Sequence, residues 1–322
     1  MEKGVDGRTS PAMTPKEGSR QSLMKTILVP VEDHDSMAAV LQAAWLVARR
    51  FDSYVEGFAV QPAASEFVAL DPLSSLTMPQ VADGDAQIER HSRQMFESFM
   101  ASRNVPPTPP RFPTLPPYPP PQAGQGRGGG AGREGASYAW VRAGAEFDTF
   151  IGSYGRVFDL IVLGRPGRAA QNPRMAPLEA ALFESGRPVL IVPPTLPKEL
   201  GRNVLVAWNG STEQARTNAF AMPLLRGADD VTVLTVEGGM TPGPSGDEAA
   251  LHLVRNGVRA TAVTVAPAGR TTGEAILDHA RLRGCGLIVK GAYAQSRLRQ
   301  MIFGGATRHI LAHATLPVLM AH

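Results

Sequence analysis

The sequence predicts an α/β protein built as two similar units. Each is a parallel sheet of five strands alternating with four helices that cover both faces. Three observations carry this. Short apolar runs rich in β-branched residues, such as K-T-I-L-V-P-V at 25–31 and N-V-L-V-A at 203–207, recur between stretches of helical spacing. The runs are continuously apolar, as strands buried on both faces are. The second half also echoes the first: L-I-V-L-G at 160–164 returns as L-I-V-K-G at 287–291, and P-V-L-I at 188–191 as P-V-L-M at 317–320.

Taken in order, residues 1–23 are polar and aperiodic and read as a disordered tail. Met24 stands directly before the first strand, and one reading makes it the true start. The first domain is expected over 24–196. Strand 25–31 leads through a polar turn at 32–36 into helix 37–50, which places Val40, Ala44 and Val47 on one face. Strand 54–60 follows, then an irregular stretch over 61–84 and an amphipathic helix over 86–103 with Ile88, Met95 and Phe99 among its apolar positions. Residues 105–137 are a Pro-rich and then Gly-rich insert that is expected to form no packed element. A spacer, a ligand for an aromatic groove and a local reading-frame error are the readings open for it. Order returns with strand 137–141, helix 146–155, strand 160–163, helix 177–185 with Pro177 in its first turn, and strand 189–192. The second domain is expected over 200–322. Its strands are 203–207, 231–236, 261–265, 287–289 and 317–320; its helices are 213–225, 247–256, 273–282 and one following Gly304.

Composition narrows the function classes. A net charge of +3 with scattered arginines gives no basic stripe for nucleic acid. The one cysteine, Cys285, excludes an internal disulfide and a cysteine zinc site, which fits a reducing cytoplasm. No apolar run approaches the roughly 20 residues of a membrane span. His309 and His313 are spaced i, i+4 but have no third ligand in a zincin pattern. Ser211 follows Gly210 without a nucleophile elbow, and Cys285 reads as packing.

The stretch 287–307 holds the chain's chemistry. A strand ends at Gly291, a polar loop carries Arg297 and Arg299, and Gly304-Gly305 opens a helix whose Ile310, Leu311 and Ala314 share a face. Unpaired N–H groups at a helix start beside glycines can cradle a phosphate. An ordinary strand-to-helix connection is the alternative.

With I-L-V-P-V-E-D, L-I-V-L-G and P-V-L-I-V-P in one half and V-L-V-A-W-N-G-S, L-I-V-K-G and P-V-L-M in the other, both halves resemble universal stress protein domains. The resemblance covers 24–104 and 138–322. It implies two Rossmann-like, HUP-type sheets of strand order 3-2-1-4-5, paired through their last strands within one chain, with a homodimer as the larger assembly. Family members that bind ATP carry G-x2-G-x9-G-[ST] after the fourth strand and an acid after the first. In the second half Gly291 and Gly304 keep that spacing, but Ala294 replaces the second glycine, Gly305 stands where Ser or Thr belongs with Thr307 two places on, and Asn209 replaces the acid. The resemblance thus implies an adenine nucleotide, ATP with magnesium, at Gly291, Ala294, Arg297, Gly304, Gly305 and Thr307. Ala207, Trp208 and Asn209 would lie at the base or ribose, with Val236 flanking the ring. In the first half Gly164 and Gly167 keep the first spacing, Pro177 falls at the third glycine and Glu32 supplies the acid, so a structural partner is expected there. No catalytic or metal-binding residue is expected. The expectation is a cytoplasmic, non-enzymatic stress-response protein that acts by binding and contacts neither nucleic acid nor membrane. A scaffold working through protein contacts is the rival. A weak ATP hydrolase is the third class, and no residue can be named for its water-positioning group.

Intact-mass measurement of the native protein tests the reading that makes Met24 its first residue. A peptide ending inside 1–23 would overturn that reading.

Overall fold

The computed structural model describes residues 24–60, 78–110, 135–142, 147–167, 169, 172–195, 199–292 and 304–322, with 78–85 and 147–149 as backbone only. The first unit runs β1 (Thr26–Val31), α1 (Met37–Phe51), β2 (Tyr54–Ala59), α2 (Met78–Ser102), β3 (Ser137–Trp140), α3 (Phe147–Tyr154), β4 (Leu160–Gly164), α4 (Met175–Glu184) and β5 (Val189–Val192). The second runs β6 (Asn203–Trp208), α5 (Thr212–Arg226), β7 (Asp230–Val236), α6 (Gly246–Arg255), β8 (Ala260–Val265), α7 (Thr272–Leu282), β9 (Leu287–Gly291), α8 (Gly305–His313) and β10 (Val318–Ala321).

All ten strands form one sheet of order β3-β2-β1-β4-β5-β10-β9-β6-β7-β8. Each unit therefore has the expected order 3-2-1-4-5 and is parallel throughout. The units meet where β5 and β10 pair antiparallel, with Leu319 opposite Leu190 and Met320 opposite Val189. Helices α1, α2, α5 and α6 pack on one face, and α3, α4, α7 and α8 on the other. Central strands such as β4 and β5 are buried at every position, which is why their sequences are apolar without alternation.

Two expectations are corrected. Helix α2 begins at Met78, inside the stretch read as irregular, because Pro79 sits in the first turn where its missing N–H costs nothing. The insert also packs at its start. Val105 is buried, and Pro106 and Thr108 bond the backbone of Tyr138 at the outer side of β3. Proline is tolerated there because an edge needs no donor from it. Residues 1–23, 61–77 and 111–134 lie outside the described residues. In the first unit Phe96 on α2 lies against Tyr138 and Trp140, with ring centroids 5.6 Å from each. Gly57 of β2 makes room for that ring: a Cβ there would sit 2.8 Å from Phe96 Cε2.

Side chains reinforce the joint between units. Arg50 at the end of α1 donates to the carbonyl of Leu224 near the end of α5 (3.2 Å). Arg165, just after β4, donates from Nη1 to Leu311 O (3.2 Å) and to Ala312 O at the C-terminus of α8. A cation at that end complements the helix dipole. Arg165→Ala is expected to destabilise the protein by about 1–3 kcal/mol, since it leaves two carbonyls without their charged donor. Urea denaturation of wild type and variant measures this.

Candidate functional site

In the second unit the strand ends β6, β7 and β9 and the starts of α7 and α8 converge at one edge of the sheet, where ligands bind in open α/β folds. An open cleft of about 530 Å³ lies there. It runs from Glu237 and Gly238 after β7, across Arg270 and Thr271 at the head of α7, to Gly305 and His309 on α8. Of the residues expected from sequence, Gly305 lines the cleft and Val236 precedes it at the end of β7.

The loop after β6 has a different task. Trp208 is buried on the opposite face, and its Nε1 donates to Pro244 O (2.9 Å). Ala207 is buried on the α7/α8 side. Asn209 Oδ1 accepts from Ser211 N (3.2 Å), and its carbonyl accepts from Thr241 N (2.8 Å) and Thr241 Oγ1 (3.0 Å). Ser211 then caps α5, its Oγ accepting from Gln214 N (3.1 Å). Gly210 is required twice over. It adopts φ +78°, and a Cβ would lie 2.9 Å from Thr241 O. The tetrapeptide W-N-G-S is thus a helix-starting turn latched to the 240s loop. The Asn209 carboxamide oxygen is committed to that turn.

Gly291 is likewise a packing glycine. A Cβ on it would lie 2.6 Å from Gln214 N, so only glycine admits the start of α5 this close to the end of β9. Its N–H donates to Oε1 of the fully buried Gln214 (2.7 Å), whose Nε2 donates to Asn218 Oδ1 (2.9 Å) and Val289 O (3.3 Å). Ala294, Arg297 and Arg299 lie outside the described residues.

The start of α8 is open. Gly304 is its N-cap and makes no side-chain cap bond, and no described residue lies within 4 Å of a Cβ built on Gly305. Thr307 in the first turn is buried. The other helices of this unit are capped by Ser211, Ser245 and Thr271, the last two as complete capping boxes. The first-turn N–H groups of α8 therefore face the cleft edge with no side chain of their own to bond. Arg270 and His309, which the motif reading passed over, bring basic side chains to the same cleft. Arg270 is paired with Asp278 (3.0 Å), and the His309 ring stacks on His313 with centroids 4.3 Å apart. Glu274, bonded by the backbone N–H and hydroxyl of Thr271 and facing His309, is held below the usual carboxylate range. Among the described residues no group of three potential metal ligands occurs.

The first unit closes the corresponding place. Arg174, the N-cap of α4, donates from Nε to Glu32 Oε1 (3.0 Å) and from its backbone N to Glu32 Oε2 (3.4 Å). A Cβ on Gly164 would lie 2.4 Å from Pro173 Cγ, and the gap bounded by Glu32, His34 and Arg174 is too narrow for a water. Burial holds the half-exposed His34 below its ordinary pKa. Pro177 does not stand in for the third glycine. The connection from Gly164 to the cap Arg174 is ten residues (174 − 164), against thirteen from Gly291 to Gly304 (304 − 291), so Pro177 falls inside α4.

Aligning the two units places Lys290 opposite Leu163, a buried aliphatic residue before the strand-ending glycine. Lys290 is 4% exposed, and its Nζ donates to Gly291 O (2.9 Å). Burial lowers its pKa to about 8, and Glu213 opposes the shift. The unfolded chain then binds more protons between about pH 8 and the ordinary value of 10.5, so this lysine costs stability below pH 8 and the cost fades as pH rises through that window. Lys290→Met is expected to stabilise the protein by about 3 kcal/mol at neutral pH, with the gain disappearing towards pH 10.5. Thermal melts of both proteins across that range measure it.

Residues 201–322 match the model of the Universal stress protein family. No curated protein matches the sequence. Among solved structures, a universal stress protein from Archaeoglobus fulgidus DSM 4304 aligns over 93% of this chain and 96% of its own, with a TM-score of 0.58 and 13% identity. A protein assigned to the same family from Pseudomonas aeruginosa UCBPP-PA14 aligns over 92% of this chain and 93% of its own, with a TM-score of 0.51 and 14% identity. At such identities the likeness is one of fold, and it spans both units. Residues 201–322 thus match the universal stress protein family by sequence, and the first unit repeats the same strand order in tandem.

Proposed function

We propose that the second unit binds an adenine nucleotide and that the protein acts as a cytoplasmic, non-enzymatic stress-response regulator. The observation that carries this reading is the contrast between two equivalent places in one chain. In the first unit a guanidinium at the helix start is neutralised by a carboxylate, and the space is closed. In the second, glycine and asparagine stand at those positions, the helix start is uncapped, and a cleft of about 530 Å³ opens beside it. A phosphate at the N–H groups of Gly305 and Ala306 would complete the cap that the side chains omit. Arg270 would add positive charge, His309 would bring a ring nitrogen to the same wall, and Val236 would bound the base. Asn209 is left with its amide N–H groups as donors to base or ribose, since its oxygen is occupied. The residues present fit a nucleotide with its phosphates at α8. The first unit serves as the structural partner, and the domains divide at the linker between β5 and β6.

Titration calorimetry of magnesium ATP into the protein tests this. Saturable binding near one site per chain is expected. Gly304→Leu is expected to abolish that binding without unfolding the protein, because Gly304 has φ −64° and ψ 160°, which any residue adopts. No heat and no thermal stabilisation at millimolar ATP would remove the nucleotide reading and leave a scaffold acting through protein contacts.

A further inference from the structure

The chain treats the two free edges of its sheet differently. At β3 the edge is covered from within: Tyr138 N donates to Pro106 O (3.1 Å) and Thr108 N donates to Tyr138 O (2.7 Å). At β8 no described residue does this. Val231 N and Glu237 N donate to the carbonyls of Arg259 and Val265 (2.9 Å each), so the odd-numbered residues of this stretch turn their backbone groups inward to β7. Successive strand residues alternate, so Ala260, Ala262 and Thr264 turn their N–H and C=O groups outward. Pairing with β7 runs unbroken from Ala260 to Val265, so no bulge twists the edge away. The sequence A-T-A-V-T-V contains no charge and no proline. These are the devices that usually keep a sheet edge from acquiring a neighbour, and among the described residues β8 has none of them.

We propose that β8 is a self-association edge, on which a second copy of this chain lays its own β8 antiparallel about a two-fold axis through Ala262. The parity of the outward groups selects that register. Ala262 faces its own copy, and Ala260 faces Thr264, so the three outward N–H and three outward C=O groups of each chain are all satisfied. With no charged side chain in the ladder, two identical strands oppose no like charges. Leu251 and Val254, three residues apart on the helix that packs on β8, are 48% and 49% exposed and add apolar surface beside the same strand. Antiparallel strand addition already joins the two units at β5 and β10, and that pairing occupies both last strands, which leaves β8 as the edge open to a second chain.

The test is light scattering of the full chain across a concentration series, with hydrogen exchange at each end of it. A monomer–dimer equilibrium is expected, with the amides of Ala260, Ala262 and Thr264 protected in the dimer and not in the monomer. Ala262→Pro removes an outward donor that β7 does not use, and is expected to weaken the dimer roughly tenfold or more while the far-ultraviolet dichroism stays unchanged. A chain that stays monomeric throughout would overturn the proposal. So would a dimer in which those three amides exchange as in the monomer, a readout that holds even if the proline variant fails to fold.

Discussion

The antiparallel pairing of β5 with β10 is the constraint on which the rest of the structure depends. Each unit alone would leave its last strand as an apolar sheet edge, β5 as V-L-I-V and β10 as V-L-M-A, with aliphatic side chains on both faces. Such strands are stable only when covered on both faces and paired on both sides. Joining them makes one sheet with two continuous cores, one on each face. It also turns the units end for end, so the carboxyl ends of their strands lie at opposite margins of the sheet. Arg165, at the carboxyl end of β4, therefore meets the C-terminus of α8, whose N-terminus opens on the cleft of the other unit.

The two margins differ in how their polar groups are satisfied. In the first unit the polar groups at the strand ends satisfy one another. Glu32 and Arg174 are both largely buried, and a buried charge is tolerated only beside its opposite. In the second unit asparagine and glycine at those places remove both charges, and the helix start has no side-chain cap bond from its N-cap residue. A cation has returned at a different point: Lys290 emerges from the strand where the first unit has Leu163. The same backbone thus supports a filled margin and an open one, and three or four side chains decide which.

The glycines carry a second lesson. Gly291 and Gly304 have the spacing of a phosphate loop, yet their local reasons differ. Gly291 is required because Gln214 approaches to within a Cβ's radius, whatever else the loop does. Gly304 has a backbone conformation open to any residue, so steric need does not explain it. What its lack of a side chain does is leave the N–H groups of α8 uncapped. Spacing misled in the first unit, where a connection three residues shorter moves the helix cap to Arg174 and carries Pro177 into the helix. Counting residues from a glycine locates a functional position only when the connection between them keeps its length.

By itself the sequence determined the ten described strands, the described helices within a few residues except for the early start of α2, the repeat and the strand order that the family resemblance implies. Burial on both faces forces continuous apolar runs, and helical spacing between them forces the alternation. Its reading of the first unit rested on Pro177 at the third-glycine position, and the shorter connection places that proline inside α4 instead. Only the tertiary structure decided what the polar residues do. Asn209 spends its oxygen on Ser211 and Trp208 points to the opposite face. Arg270 and His309, 39 residues apart (309 − 270), reach one cleft, and no described residue covers the edge strand β8 while β3 is covered by the head of the insert. Backbone periodicity is local and is written in neighbouring residues. Hydrogen-bond partners, cleft walls and sheet edges are set by which distant segments the packing brings together.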